Sequence, residues 1–334
     1  MNSKILLTIG IIAVIALGAF YISGSLTGFA TANKMEKVKI ADIPITQNIP
    51  LYLALENGYF EQEGIDVEVV RFDSPKQIVD AVVLNQVDLA GPGGATGISA
   101  IAETLSPGSL KYYAFTCHYG NSGNSLLIKK NSTMTSIKEL EGKNIGKLPG
   151  IQWTTIVKRI LKNNGVDAEK TQLVDLAVQV QLQALESGQI DALVGLDPIV
   201  QIGVEKGIAK ILIPGLTEKY FVNPSCNGAG FVSIKFMQDR SETAEKVLKV
   251  MQRAINESND PRSWPEQRKL LEKYLKVERQ ITEKMPFPMA TFVYASELNK
   301  EQSQAIEQFW KIFYEDGIIK KQVKLEDVLL SNVS

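Results

Sequence analysis

A strand runs directly into Gly91-Pro92-Gly93-Gly94-Ala95-Thr96, and a helix follows. At such a junction, free backbone N–H groups and the positive end of the helix dipole attract an anion or a carbonyl oxygen. It is no P-loop, because no Gly-Lys-Ser/Thr follows, and Pro92 interrupts any dinucleotide fingerprint. The alternative is that these glycines only let strand and helix pack closely. A second turn of this kind is Gly150-Ile151-Gln152-Trp153-Thr154-Thr155. Facing helix N-termini would clamp a small polar ligand, with Gln152 and Thr154 as hydrogen-bonding groups. Trp153 would cover that ligand, or else belong to the core.

The loop Asp42–Asn48 adds Asp42, Thr46, Gln47 and Asn48 as further polar side chains. Asp197-Pro198 fits a ligand carboxylate equally with a helix N-cap followed by proline in the first turn. His118 is the only histidine. With Tyr119 it ends a strand where the chain leaves its first domain, and both are expected to line a pocket, joined by Asn227 at the return. One histidine without a carboxylate pair or cysteine cluster does not make a metal site. No Gly-x-Ser-x-Gly elbow is present. Neither a catalytic constellation nor a cofactor is expected.

The positioning elements alternate. Strands are expected at 38–43, 67–72, 87–90 and 110–116, with helices from Pro50 to Gly58, from Ser74-Pro75 and from 98 to 104. A second series places strands at 126–129, 144–147, 173–176, 190–194 and 210–213. Between them lie a short helix opened by a capping box at Ser136–Glu139 and ending at Gly142, and helices after Thr154, at 180–186 and from Pro198. Strand–helix alternation implies parallel α/β sheets with ligand loops at the strand C-termini. A strand at 230–236 then leads into three helical stretches. Ala244, Val247, Leu248, Met251, Ala254 and Ile255 stripe the first, Pro265 opens the second, and Ile306, Phe309, Trp310, Phe313 and Tyr314 stripe the third. Such stripes are core. Packed back on the first domain, they give lobe I as 33–120 and 228–334 and lobe II as 121–227. Two crossovers between lobes form a hinge and leave a cleft.

The chain has 334 residues, enough for two cores, and its 36 Lys+Arg against 37 Asp+Glu leave no basic face for nucleic acid. Residues 1–32 carry a single charge, Lys4, then an apolar run and Ala30-Thr31-Ala32. This predicts a secretory signal, or an uncut membrane anchor, and an exported remainder outside the cytoplasm. No cysteine ends that segment, which closes the lipoprotein route. Cys117 and Cys226, the only two cysteines, are either a disulfide or two buried thiols. If the two crossovers run side by side, their sulfurs are neighbours.

Pro50-Leu51, Ala54, Gly58-Tyr59-Phe60, Gly64-Ile65-Asp66-Val67 and Val87-Asp88-Leu89-Ala90-Gly91 form a spaced pattern. It resembles the opening of the solute-binding proteins for nitrate, sulfonate, taurine and thiamine-pyrimidine uptake. The likeness continues through Ser136–Lys143, Ala184–Ala192 and Asp197-Pro198, to about residue 235. It implies a two-lobe, type II periplasmic-binding-protein-like α/β fold, each lobe a mainly parallel sheet flanked by helices. It also implies that loop 42–48 lines the pocket and that Asp197 stands at the cleft. The function implied is capture of a small solute by a monomer that delivers it to an ABC permease, without catalysis. Sulfonates or nitrate would suit helix N-termini, although no arginine stands in a candidate loop. A flat heteroaromatic would suit Trp153 and Tyr119, with Asp42 or Asp197 on its ring nitrogens. The rival readings are an enzyme of thiamine-pyrimidine synthesis on the same fold and a membrane-anchored ligand sensor. The cysteine-rich stretch of those enzymes is missing here.

Overall fold

Two β-sheets organise the chain in the computed structural model, which describes residues 35–330. The expected export segment at residues 1–32 lies outside the described residues. Among those described, no helix is long and apolar enough to cross a membrane. The first sheet begins with β1 (Glu36–Asp42), β2 (Ile65–Arg71), β3 (Leu89–Ala90), β4 (Gly94–Ala95) and β5 (Leu110–His118). The second holds β6 (Ser125–Lys129), β7 (Asn144–Lys147), β8 (Gln172–Asp175), β9 (Ala192–Gly195) and β10 (Ala209–Ile213). The chain then rejoins the first sheet as β11 (Ser225–Ser233) and β12 (Thr291–Tyr294).

Strand order is β12-β5-β11-β3-β1-β2 in the first sheet, with β4 against β11, and β10-β6-β9-β7-β8 in the second. The sheets are mixed rather than mainly parallel. β1 pairs in parallel with β3, and β7 with β8 and β9. Antiparallel pairs join β11 to β3, β4 and β5, β12 to β5, and β6 to β9 and β10. The reason is topological. A chain that leaves a sheet at the end of β5 and re-enters it beside β5 must run the opposite way.

Local sequence explains the helix ends. Ser74 and Gln77 form a capping box before Pro75–Val83, and Asn299 and Gln302 form one before Lys300–Glu315. The expected box at Ser136 and Glu139 is present but opens only a short 3-10 turn, Ile137–Leu140. Helix Ser241–Ser258 buries its stripe, including Val247, Leu248 and Met251, in one core with Leu51, Tyr52 and Leu53. Ile306, Phe309, Trp310 and Phe313 pack into a second core that spans both sheets, while Tyr314 stays 41 % exposed and off the stripe.

β5 and β11 carry the two cysteines. Their register pairs Ser225 with His118 and Gly228 with Thr116, with an irregularity between that brings Cys117 opposite Cys226. The two are joined as a disulfide, Cα atoms 4.0 Å apart, across 109 residues of sequence. In the loop-entropy account, a ring of this size stabilises by roughly 4–5 kcal/mol. Replacing both cysteines by serine should lower stability by about that much in denaturant titration. Unreduced wild type should titrate no free thiol.

Candidate functional site

The loop after β1 is held by a buried carboxylate. Asp42, at the strand end, accepts from Asn48 Nδ2 at 2.7 Å and from the Tyr52 hydroxyl at 2.8 Å, both on Oδ1. Its Oδ2 has only Arg71 Nε, an ion pair at 3.3 Å outside hydrogen-bond geometry. Burial raises the Asp42 pKa, and these partners offset part of that cost. Asn48 passes the constraint on, because its Oδ1 accepts from Gly93 N at 2.8 Å. A Cβ at Gly93 would meet Asn48 Oδ1 at 2.9 Å, and one at Gly91 at 2.5 Å. Gly91 and Gly93 are therefore there for close packing on Asn48, and Gly94 for close packing on β11, where a Cβ would meet the Ala229 carbonyl oxygen at 2.5 Å. Asp42 and Asn48 are spent on structure, and the Gly93 N–H is already occupied.

Beside this scaffold, polar groups from five segments converge. Gln47 Nε2 donates to Asn227 Oδ1 at 2.9 Å and lies 3.0 Å from His118 Nε2. His118 Nδ1 lies 3.2 Å from the Met289 carbonyl oxygen, so Nδ1 carries the proton and Nε2 accepts. Burial pushes the imidazole down to about 4, so it is neutral. Gln152, at the start of helix Ile151–Asn163 beyond the second sheet's β7, reaches the first sheet. Its Oε1 accepts from Gly97 N at 2.6 Å and its Nε2 donates to the Asn227 carbonyl at 3.1 Å. Asp197, just past β9, offers its carbonyl to the Thr46 hydroxyl at 3.2 Å and to Thr46 N at 3.4 Å. Both sheets thus meet in one buried hydrogen-bonded network.

Thr96 donates its hydroxyl to the Cys226 carbonyl at 3.0 Å, while Gly94 and Ala95 pair with β11. The Gly91–Thr96 turn is therefore closed on the first sheet, and Gln152 fills the N-terminal position that sequence reserves for an anion. Three expected residues lie elsewhere. Trp153 is 3 % exposed and packs in the apolar core. Thr154 returns its hydroxyl to the Gly150 carbonyl at 3.3 Å and lines a separate surface groove of about 530 Å³. Tyr119 accepts from Gln302 Nε2 at 3.0 Å, in a turn closed by Ser122.

Sequence reasoning misses Gly97, Thr116, Ser225, Met289 and the buried Glu218. The Thr116 hydroxyl fixes the Pro92 carbonyl at 3.0 Å. Glu218 sits in the short helix Leu216–Tyr220 of the return crossover. A Cβ at Gly123, in the outgoing crossover, would come within 2.0 Å of Glu218 Oε1. The Thr217 hydroxyl donates to the other oxygen at 3.0 Å, and Oε1 has no partner. Burial pushes Glu218 and Asp197 each up to about 7.

Two measurements follow from these placements. Trp153→Ala removes core contacts and should cost about 3–5 kcal/mol of stability in denaturant. Asp197 and Glu218 are raised in the folded state, so their contribution is fully present below about pH 4 and is lost as pH rises through about 7. Wild type should lose stability across that window, by up to roughly 4 kcal/mol for Asp197 alone. An Asp197→Asn, Glu218→Gln double variant should give a flatter stability–pH curve.

A protein of Bacillus subtilis (strain 168) named for the binding of aliphatic sulfonates is 26 % identical over 251 residues, 74 % of this chain and 73 % of its own. A 4-amino-5-hydroxymethyl-2-methylpyrimidine phosphate synthase of Saccharomyces cerevisiae is 23 % identical over 232 residues, and this chain spans 64 % of its length. Among solved structures, the alkanesulfonate-binding protein from Xanthomonas axonopodis pv. citri, bound to MOPS, superposes with a TM-score of 0.71 at 18 % identity. That match covers 88 % of this chain and 98 % of the other, and it establishes the shared two-sheet fold. The pattern of the NMT1/THI5-like family matches residues 45–262, and the chain belongs to that family.

Proposed function

We propose that the chain captures a small solute outside the cytoplasm, between its two sheets, and hands it to an ABC permease. The observation that carries this reading is Gln152, a side chain of the second sheet's helix bonded to Gly97 and Asn227 of the first. In this reading the two sheets define two lobes, divided near residues 121 and 228. The crossovers between β5 and β6 and between β10 and β11 act as the hinge. Parting the lobes exposes Thr46, Gln47, His118, Gln152, Asp197 and Asn227, and closing them buries a ligand among these groups.

Solute capture fits these groups better than catalysis does. The imidazole is uncharged with both nitrogens engaged, so it is a poor proton shuttle. Both sulfurs are tied to each other, which leaves no thiol nucleophile. The yeast synthase relative supports the rival reading, an enzyme of thiamine-pyrimidine synthesis. The Bacillus and Xanthomonas proteins support capture of sulfonate-like solutes.

A thermal-shift screen of the full chain against sulfonates, nitrate, taurine, pyrimidines and simple amines tests this. A ligand at a hundredfold excess over its Kd should stabilise by roughly 2.7 kcal/mol. It should also be recovered unaltered by mass spectrometry, and a chemically changed ligand would establish the enzyme instead. Gln152→Ala should weaken binding by about 1–3 kcal/mol, as expected for a lost buried hydrogen-bonding group.

A further inference from the structure

The charge at the site differs from what an oxyanion needs. Two backbone N–H groups at the first of the turns are taken, Gly93 by Asn48 and Gly97 by Gln152. No lysine or arginine side chain belongs to the network of Thr46, Gln47, His118, Gln152, Asp197 and Asn227. Lys147 is buried before the Gly150 turn, but Asp175 neutralises it. Arg71 is used by Asp42. What remains without a counter-charge is acidic. Asp197 is 9 % exposed, bonds Gln201, and keeps Oδ1 buried with no partner at all. Glu218 Oε1, between the two crossovers, is orphaned in the same way.

A buried carboxylate oxygen without a donor is costly, and the cost is relieved by a ligand that brings an N–H or a positive charge. Above about pH 7, where these carboxyls are ionised, a sulfonate or nitrate placed there would add like-charge repulsion in a dry site. Resting on the solute-capture reading, we propose that this site takes a ligand carrying an ammonium, amidinium or guanidinium group. Asp197 is the residue that selects it, and sulfonate-like anions are rejected. This sets the chain apart from the relatives named for sulfonate binding. The family fold is kept while the sign of the recognised group is reversed.

Three probes of matched shape separate the possibilities: benzamidine, benzamide and benzenesulfonate, titrated calorimetrically into the full wild-type chain. Benzamidine should bind at least tenfold more tightly than benzamide, and benzenesulfonate should not bind measurably. Asp197→Asn, checked for an unchanged circular-dichroism spectrum, should lose that tenfold preference while retaining benzamide binding. Benzenesulfonate binding as tight as benzamidine's overturns the proposal, as does a benzamidine Kd unchanged in Asp197→Asn. Failure of all three probes to bind overturns it too. Should benzenesulfonate alone bind, and be recovered unaltered, solute capture stands and only the sign of the ligand is wrong.

Discussion

The pairing of β5 with β11 is the interaction on which the other features depend. Each strand has nine residues, both lie inside the first sheet, and every residue of β11 is buried. The chain leaves that sheet from the end of β5 and comes back at the start of β11, so one ladder fixes where both crossovers begin. The irregularity between Ser225 and Gly228 turns the ladder just enough to join Cys117 to Cys226. It also leaves the next residues, His118 and Asn227, free to share Gln47. β4, the Gly91–Thr96 turn and β12 are then laid against the same pair of strands.

Much of this was legible in the sequence, because loop and turn residues announce themselves. Thr46, Gln47, Gln152 and Asp197 stand at strand–helix junctions, where a polar side chain has no local reason to be apolar. Periodicity marked the long C-terminal helices equally well. Other features depend on partners distant in sequence, which no local pattern encodes. Thr116 and Ser225 sit inside strands, and alternation gives their face but not what lies across it. β12 has only four residues, Thr291–Tyr294, too few for a pattern. Trp153 reads as either ligand cover or core because it follows a glycine turn, and helical spacing aligns it with Ile156, Val157 and Ile160 in the core. The parallel sheets inferred from strand–helix alternation became mixed once the chain doubled back.

The same contrast separates what the fold shares with its relatives from what it does not. Two sheets joined by two crossovers are compatible with binding proteins and with enzymes alike, so fold alone assigns no ligand. Individual side chains decide it. Asn48 and Gln152, both uncharged amides, occupy the backbone donors of Gly93 and Gly97, and Asp197 and Glu218 each keep a carboxylate oxygen unpaired. Small changes at such positions could retune recognition without disturbing either core.

The Cys117–Cys226 bond has a covalent meaning beyond the strand pair it joins. All five strands of the second sheet, β6 to β10, lie within the ring it closes. The second sheet thus belongs to a cyclised insert whose two ends are pinned 4.0 Å apart. A protease that cuts any of its loops opens the ring without dividing the molecule. The fragments stay linked until a reductant reaches sulfurs that are almost entirely shielded from solvent. As long as that bond stays oxidised, the insert that supplies Gln152 and Asp197 keeps its attachment through a single nick.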